Sequence, residues 1–189
     1  MDWLKVKKAA RAVRNGGVIA YPTEAVWGLG CDPWNEQACL DLMQVKLRVP
    51  EKGMILIAGS MAQFGSLLTT LTPEIQQQLH QGWADNLNSG AVTYLVPDEL
   101  NLVPGWIKGS HDKVAVRVSH HYLVKQLCDE LNMPLVSTSA NLAGRPAARS
   151  RLQVEKHMGR QIDYILPGRL GGARQPSRII DLLSGQIRR

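Results

Sequence analysis

Aromatic residues are scarce in this chain: five Trp, four Tyr and a single Phe make up 5% of 189 positions. A core built from such a composition is aliphatic, and platforms for stacking bases are few; no RRM, KH or zinc-knuckle pattern occurs. Cysteine is equally sparse. Cys31, Cys39 and Cys128 show no CxxC spacing and no even framework, so they read as free thiols of a reducing compartment. No apolar run approaches the length that spans a bilayer. The N-terminal stretch MDWLKVKKAARAVRNGG lacks the apolar core of a signal peptide, which makes a cytoplasmic location, away from membranes, the expectation. The usual nucleotide signatures are missing too: neither GxxxxGK[ST] nor GxGxxG is found. GxSxG is absent, and no pair of carboxylates marks a glycosidase-like cleft. A nucleotide would have to be held by another device.

What is present is a basic, globular composition. The chain is 44% hydrophobic and 20% charged, and 22 Lys plus Arg against 16 Asp plus Glu give a net charge of +6. That excess favours polyanionic partners such as phosphates or RNA. The length suits one domain spanning residues 1–189.

Trp3, Val6, Ala10 and Val13 recur at helical spacing, and Gly16-Gly17 ends that helix. Strands are expected at Val18–Tyr21, Met54–Ile57, Val92–Val96, Val114–Val118, Leu135–Thr138, Ile162–Leu166 and Arg178–Leu183. Helices are expected at Glu36–Lys46, from Thr72-Pro73-Glu74, at Tyr122–Leu131 and at Leu152–Met158. Interleaved strands and helices make an α/β domain, and short connections such as Pro97 to Lys113 require some antiparallel pairs. The sheet is therefore expected to be twisted and mixed, with flanking helices and ligands at strand ends.

Four polar clusters border the expected strands. Tyr21-Pro22-Thr23-Glu24 leads through Trp27-Gly28-Leu29-Gly30, where the glycines either permit close backbone approach to a ligand or serve a tight turn and nothing more. Lys46, Arg48 and Lys52 place three cations within seven residues, at a helix end where they either complement its dipole or converge on phosphate. Arg117 interrupts the apolar strand Val114–Val118 and calls for an anionic partner, a structural carboxylate or a ligand. His120 and His121 read as helix-start residues rather than a metal site. Finally, Ser137-Thr138-Ser139-Ala140-Asn141 gathers hydroxyls and an amide at a strand's end, followed by the loop residues Gly144, Arg145 and Pro146. Such a cluster binds anions without supplying charge. Cations and hydroxyls without a nucleophile or base suit phosphoryl or nucleotidyl chemistry.

In order, YPTEAVWGLGCD, the Lys46-x-Arg48 pair with Lys52-Gly53, AVRV, STSAN and GGARQPSRIIDLLSG resemble the YrdC-like family of threonylcarbamoyl-adenylate synthases, in its short bacterial form. The resemblance implies a twisted α/β sheet around an open basic cavity. It also implies condensation of L-threonine, bicarbonate and ATP to threonylcarbamoyl-AMP and pyrophosphate, with Mg2+ accompanying the ATP. The product would pass to a threonylcarbamoyl transferase complex that modifies tRNA, and family members bind tRNA or double-stranded RNA. By the same resemblance, Thr23, Thr138 and Ser177 would hydrogen-bond threonine, with Arg117 on its polar groups. Lys46, Arg48 and Lys52 would be catalytic and hold the triphosphate, while Ser137, Ser139 and Asn141 would meet phosphate oxygens.

One stretch departs from the family pattern W-P-G-[PA]-V-T: Trp83 is separated from Gly90 by Ala84-Asp85-Asn86-Leu87-Asn88-Ser89, read as a loop insertion beside the cavity. Two other readings compete with the enzyme, an RNA-binding maturation factor without catalysis and a non-catalytic nucleotide sensor. The maturation factor leaves Arg117 and the hydroxyl cluster without a task, whereas the sensor would use the same cavity.

Overall fold

The computed structural model describes residues 2–85 and 91–188. Its helices are α1 (Asp2–Arg14), α2 (Glu36–Lys46), α3 (Ser66–Thr69), α4 (Pro73–Asp85), α5 (Gly105–Lys108), α6 (Tyr122–Leu131) and α7 (Arg151–Met158). Its strands are β1 (Ile19–Pro22), β2 (Trp27–Gly30), β3 (Ile55–Ala58), β4 (Val92–Pro97), β5 (Lys113–Val118), β6 (Leu135–Ser139), β7 (Tyr164–Ile165) and β8 (Arg178–Asp181). All eight strands join one sheet in the order β7-β1-β2-β6-β3-β5-β4-β8. β7–β1, β3–β5 and β4–β8 pair in parallel; the other neighbours are antiparallel, so the sheet is mixed as its short connections require.

Period-two alternation divides the sheet's side chains between two faces. Ala20, Leu29, Leu56, Val92, Tyr94, Val96, Val114, Val116 and Val136 join Leu42 and Val45 of α2 and Leu79 and Trp83 of α4 in the larger core. Ile19, Tyr21, Ile57 and Leu135 face the other way and meet Val6, Ala10 and Val13 of α1 and Leu123, Val124 and Leu127 of α6. Burial of one such aliphatic side chain stabilises by about 1.5–3 kcal/mol. The smaller helical layer covers only part of its face. Side by side in the ladder, Ser137, Ile55, Ala115, Leu95 and Asp181 form a row on the uncovered remainder.

Two features differ from the sequence reading. Trp27-Gly28-Leu29-Gly30 is not a turn but β2, antiparallel to both β1 and β6. The glycines admit a close neighbour rather than a bend: a Cβ at Gly30 would stand 2.9 Å from Cε1 of the buried Tyr21 and collide with the Val136 carbonyl. Trp3, expected on the buried stripe of α1, lies 59% exposed in its first turn, with Lys7 Nζ 4.1 Å from the ring centroid. The connection after β4 contains the short α5, and a 3₁₀ turn at Pro50–Lys52 precedes β3. Trp83, Ala84 and Asp85 belong to α4; the remainder of the expected loop insertion lies outside the described residues.

β6 changes partner along its length. Leu135, Val136 and Ser137 pair with β3, whereas Thr138 and Ser139 pair with β2. The β1–β2 hairpin is separated from β5 by two strands, yet Glu24 at the hairpin tip reaches Arg117 on β5. The sheet must curl to bring them together, and the concave side is left open. After β7 at one edge, residues 166–177 run to β8 at the opposite edge. Gly171 N–H donates to the Thr23 carbonyl at 3.0 Å and Ala173 N–H to the Glu24 carbonyl at 2.9 Å, so the hairpin tip carries this connecting strap.

Candidate active site

The concave side encloses a cavity of about 890 Å³, within the range of nucleotide-sized sites. Its floor is the apolar part of the open row, Ile55, Ala115 and Leu95, continued by Ile179. Polar groups stand around that floor in two sets.

The first set is built on the hairpin tip, the end of β5 and the strap. Thr23 is buried, and its hydroxyl donates to the Val26 carbonyl at 2.7 Å, closing the hairpin. Arg117, buried on the cavity floor, forms an ion pair with Glu24 Oε2. Glu24 Oε1 accepts from the Ser119 hydroxyl at 2.7 Å and the His120 N–H at 3.1 Å. Burial pushes the Glu24 carboxyl upward, but the Arg117 guanidinium and these donors outweigh it and hold it below the usual carboxylate range. Arg117 Nε is buried without a hydrogen-bond partner. An unmet buried donor costs about 1–3 kcal/mol. Ser177, where the strap meets β8, is buried and accepts from Thr93 Oγ1 at 2.9 Å.

The second set follows α2. Leu47 ends that helix in the left-handed region at φ 51°, turning Arg48 away from Lys46. Arg48 NH2 donates to the carbonyls of Lys52 at 3.1 Å and Gly53 at 2.8 Å, tying down the 3₁₀ turn that presents Lys52. The turn also sits tightly on α5: Met54 N–H donates to the Ile107 carbonyl at 2.7 Å, and Gly53, at φ 57°, leaves no room for a Cβ beside the Lys108 carbonyl. Arg48 and Lys52 both line the cavity, and Lys52 makes no ion pair among the described residues.

Between the two sets lies Ser137–Asn141. Ser137, Thr138, Ser139 and Asn141 all reach the cavity wall. Lys46 does not; it lies behind them, buried, with its ammonium on the Asn141 carbonyl at 2.9 Å, Asn141 Oδ1 at 3.1 Å and the Ser139 carbonyl. Asn141 Oδ1 also accepts from the Ser139 hydroxyl at 2.6 Å, and its amide donates to the carbonyls of Leu142 at 3.0 Å and Arg145 at 2.7 Å. Both amide hydrogens are thus engaged inside the loop. Burial, then the neighbouring Arg48, pulls the Lys46 ammonium down to about 8, while its three oxygen acceptors favour the charged form.

Of the ten residues singled out in the sequence, nine line this cavity and Lys46 supports it from behind. The sequence reading assigned no role to Glu24, although it stands inside the quoted YPTE; its partner lies 93 residues away. It also passed over Lys113, bound to Asp181 at 2.6 Å, and Arg188, which the chain's last turn brings to the wall. Arg188 arrives there because its N–H donates to the Ile179 carbonyl at 2.8 Å, an irregular pairing with no periodic signature.

The family model described as "Sua5_yciO_yrdC: Telomere recombination" matches residues 11–189. A threonylcarbamoyl-AMP synthase of Stutzerimonas stutzeri is 54% identical over 189 aligned residues, covering 98% of this chain and 96% of that protein. Its counterpart in Marinobacter nauticus is 50% identical over 185, covering 98% and 95%. Among solved structures, P. abyssi Sua5 complexed with L-threonine superposes with a TM-score of 0.83 at 30% identity, over 96% of this chain and 51% of that one. This chain thus spans about half of that Sua5 protein. E. coli YciO shares the fold with a TM-score of 0.75 at 22% identity, over 96% of this chain and 84% of that one. With the matched model reaching from α1 to the last described residues and relatives at half identity over nearly their full length, the chain belongs to the Sua5/YciO/YrdC family.

Proposed function

We propose that the chain is an L-threonylcarbamoyladenylate synthase, a nucleotidyltransferase that joins L-threonine, bicarbonate and ATP. The observation that carries the reading is one cavity holding both a hydroxyl–arginine set (Thr23, Arg117, Ser177) and a cation with no ion pair among the described residues, on a tied turn (Lys52, held by Arg48). The names of the half-identical relatives and the threonine-bound Sua5 support it. Threonine sits at the first set, with Thr23, Thr138 and Ser177 on its polar groups and the Arg117 guanidinium on its carboxylate. The triphosphate extends toward Arg48 and Lys52, past Ser137, Ser139 and Asn141, whose loop Lys46 holds in shape.

Threonine and bicarbonate give an N-carboxylate with loss of water. Its oxygen attacks the α-phosphorus, the bond to the β-phosphate oxygen breaks, and pyrophosphate leaves with the electron pair. The substrate itself is the nucleophile, so the protein's task is placement and charge stabilisation. Mg2+ would arrive with ATP as part of the substrate, a mode that needs few protein carboxylates. Asp112 and Asp181 are the carboxylates at the wall, and Asp181 is already held by Lys113. The labile mixed anhydride is then consumed by a transferase complex acting on tRNA. Arg145, Arg149 and Arg174 give tRNA or double-stranded RNA a basic approach.

The test is pyrophosphate release by the purified chain with threonine, bicarbonate and Mg-ATP. Threonine-dependent release is expected, and Lys52→Ala and Ser139→Ala each lower turnover about 10²-fold with the fold intact. No threonine-dependent release from a folded sample overturns the reading. Salt-sensitive RNA binding without such release would favour the maturation factor instead.

A further inference from the structure

A guanidinium on a long flexible stem binds a carboxylate well only if its orientation is fixed beforehand. Arg117 has such a constraint. Its NH2 is paired with Glu24 Oε2, and both members are largely withdrawn from solvent, with side chains 10% and 14% exposed. Glu24 is held in turn: Ser119 Oγ at 2.7 Å and the His120 N–H at 3.1 Å fix Oε1, and its carbonyl accepts from Ala173 on the strap. The rest of the guanidinium makes no hydrogen bond among the described residues, and Arg117 lines the cavity. One nitrogen is thus committed to the protein while the side chain is presented to a ligand.

We infer that Glu24 is a positioning residue for the amino-acid substrate: its carboxylate clamps Arg117 so that the guanidinium is held toward the threonine carboxylate. This rests on the synthase reading. Through its neighbours the same residue ties together the other threonine contacts, because Thr23 precedes it and the strap it carries ends at Ser177. Among the described residues Glu24 makes no hydrogen bond or ion pair with the Arg48–Lys52 turn. Its effect is therefore confined to the amino acid and spares the nucleotide.

The experiment uses the full chain and three variants, Glu24→Gln, Arg117→Met and the double change. Threonine affinity is read by calorimetry, KM for threonine and for ATP by pyrophosphate release, and Tm by circular dichroism. Glu24→Gln is expected to weaken threonine binding, and to raise its KM, about tenfold or more, since a charge-assisted clamp is lost. KM for ATP stays within about twofold. In the double variant threonine binds no worse than in Arg117→Met alone, because a residue acting through Arg117 has nothing left to act on. Equal weakening toward both substrates in step with a fall in Tm, or losses that add in the double variant, would overturn the inference. Should Glu24→Gln not fold, Ser119→Ala decides, since it keeps the ion pair and removes one donor to Oε1. A rise in KM confined to threonine supports the clamp, and no rise overturns it. Wild-type chain that binds threonine without releasing pyrophosphate removes the synthase reading while calorimetry still decides the clamp; wild-type chain that binds no threonine removes both.

Discussion

The ammonium of Lys46 lies 2.9 Å from the carbonyl oxygen of Asn141 and 3.1 Å from its Oδ1, on the far side of the loop that faces the cavity. With the Ser139 carbonyl as a third acceptor, the three N–H groups of one charged side chain set the shape of a stretch almost a hundred residues later.

That arrangement requires the proton. Burial and Arg48 bring Lys46 down to about 8. A lysine whose folded pKa lies below its unfolded value of about 10.5 costs folding stability below pH 8, and the cost is relieved as pH rises toward 10.5. Activity runs the other way, because the neutral amine has two hydrogens for three acceptors. The expected outcome is a kcat/KM that declines above pH 8 without a matching fall in Tm from this group. A pH–rate profile beside thermal melts checks it, with the Lys46 Cε resonance titrating over the same range.

Gly30 tests the close packing of β2. Gly30→Ala places a methyl against the Val136 carbonyl and 2.9 Å from the Tyr21 ring. Neither can withdraw, since one is backbone of the adjacent strand and the other is fully buried. The expected loss is about 3 kcal/mol or more of folding stability, read as a lowered denaturation midpoint.

The buried Asp181 carries an acid-dependent contribution. The hydrogen bond from Lys113, then the Ser184 N–H, lowers its carboxyl to about 2. An aspartate with a folded pKa below its unfolded value stabilises the fold above about pH 4, and that contribution disappears as pH falls through 2. Asp181→Asn should lower Tm at neutral pH and flatten its dependence between pH 4 and 2. Melting curves across that window decide the matter.

Ala115 tests the apolar floor. It sits between Ile55 and Leu95 in the ladder with its side chain toward the cavity. Ala115→Leu grows into open space, so Tm should move by less than about 0.5 kcal/mol equivalent. Substrate binding should be lost, as measured by calorimetry and pyrophosphate release.

Much of this architecture was legible before any coordinates. Val92–Val96, Val114–Val118 and Met54–Ile57 announce themselves through β-branched and aliphatic runs, and their strands lie within a residue of the expected bounds. β2 escaped because two of its four residues are glycine, a residue that ordinarily weakens a strand; Tyr21, which demands them, is nine residues from Gly30 in sequence but adjacent in space. The strand order could not be read, since β7 and β8 are consecutive in the chain and farthest apart in the sheet. The site was legible as residue types but not as roles. Arg117 in an apolar strand signalled a missing anion, yet only the curl of the sheet identifies Glu24 as its protein partner. Lys46 and Arg48 look alike on paper, and a single left-handed residue, Leu47, sends one inward and the other to the cavity.

The strap between β7 and β8 bears on how the protein comes into being. Each of those strands has a single neighbour, β1 and β4 respectively, and both belong to the last 26 residues of the chain. A ribosome-bound chain that stops short of Tyr164 holds the six inner strands but lacks both outer ones, along with Ser177, Arg188 and the bonds that cap Thr23 and Glu24. The wall of the cavity is thus closed only by residues 164–188, and a ligand that needs Ser177 or Arg188 stabilises only chains that already carry them.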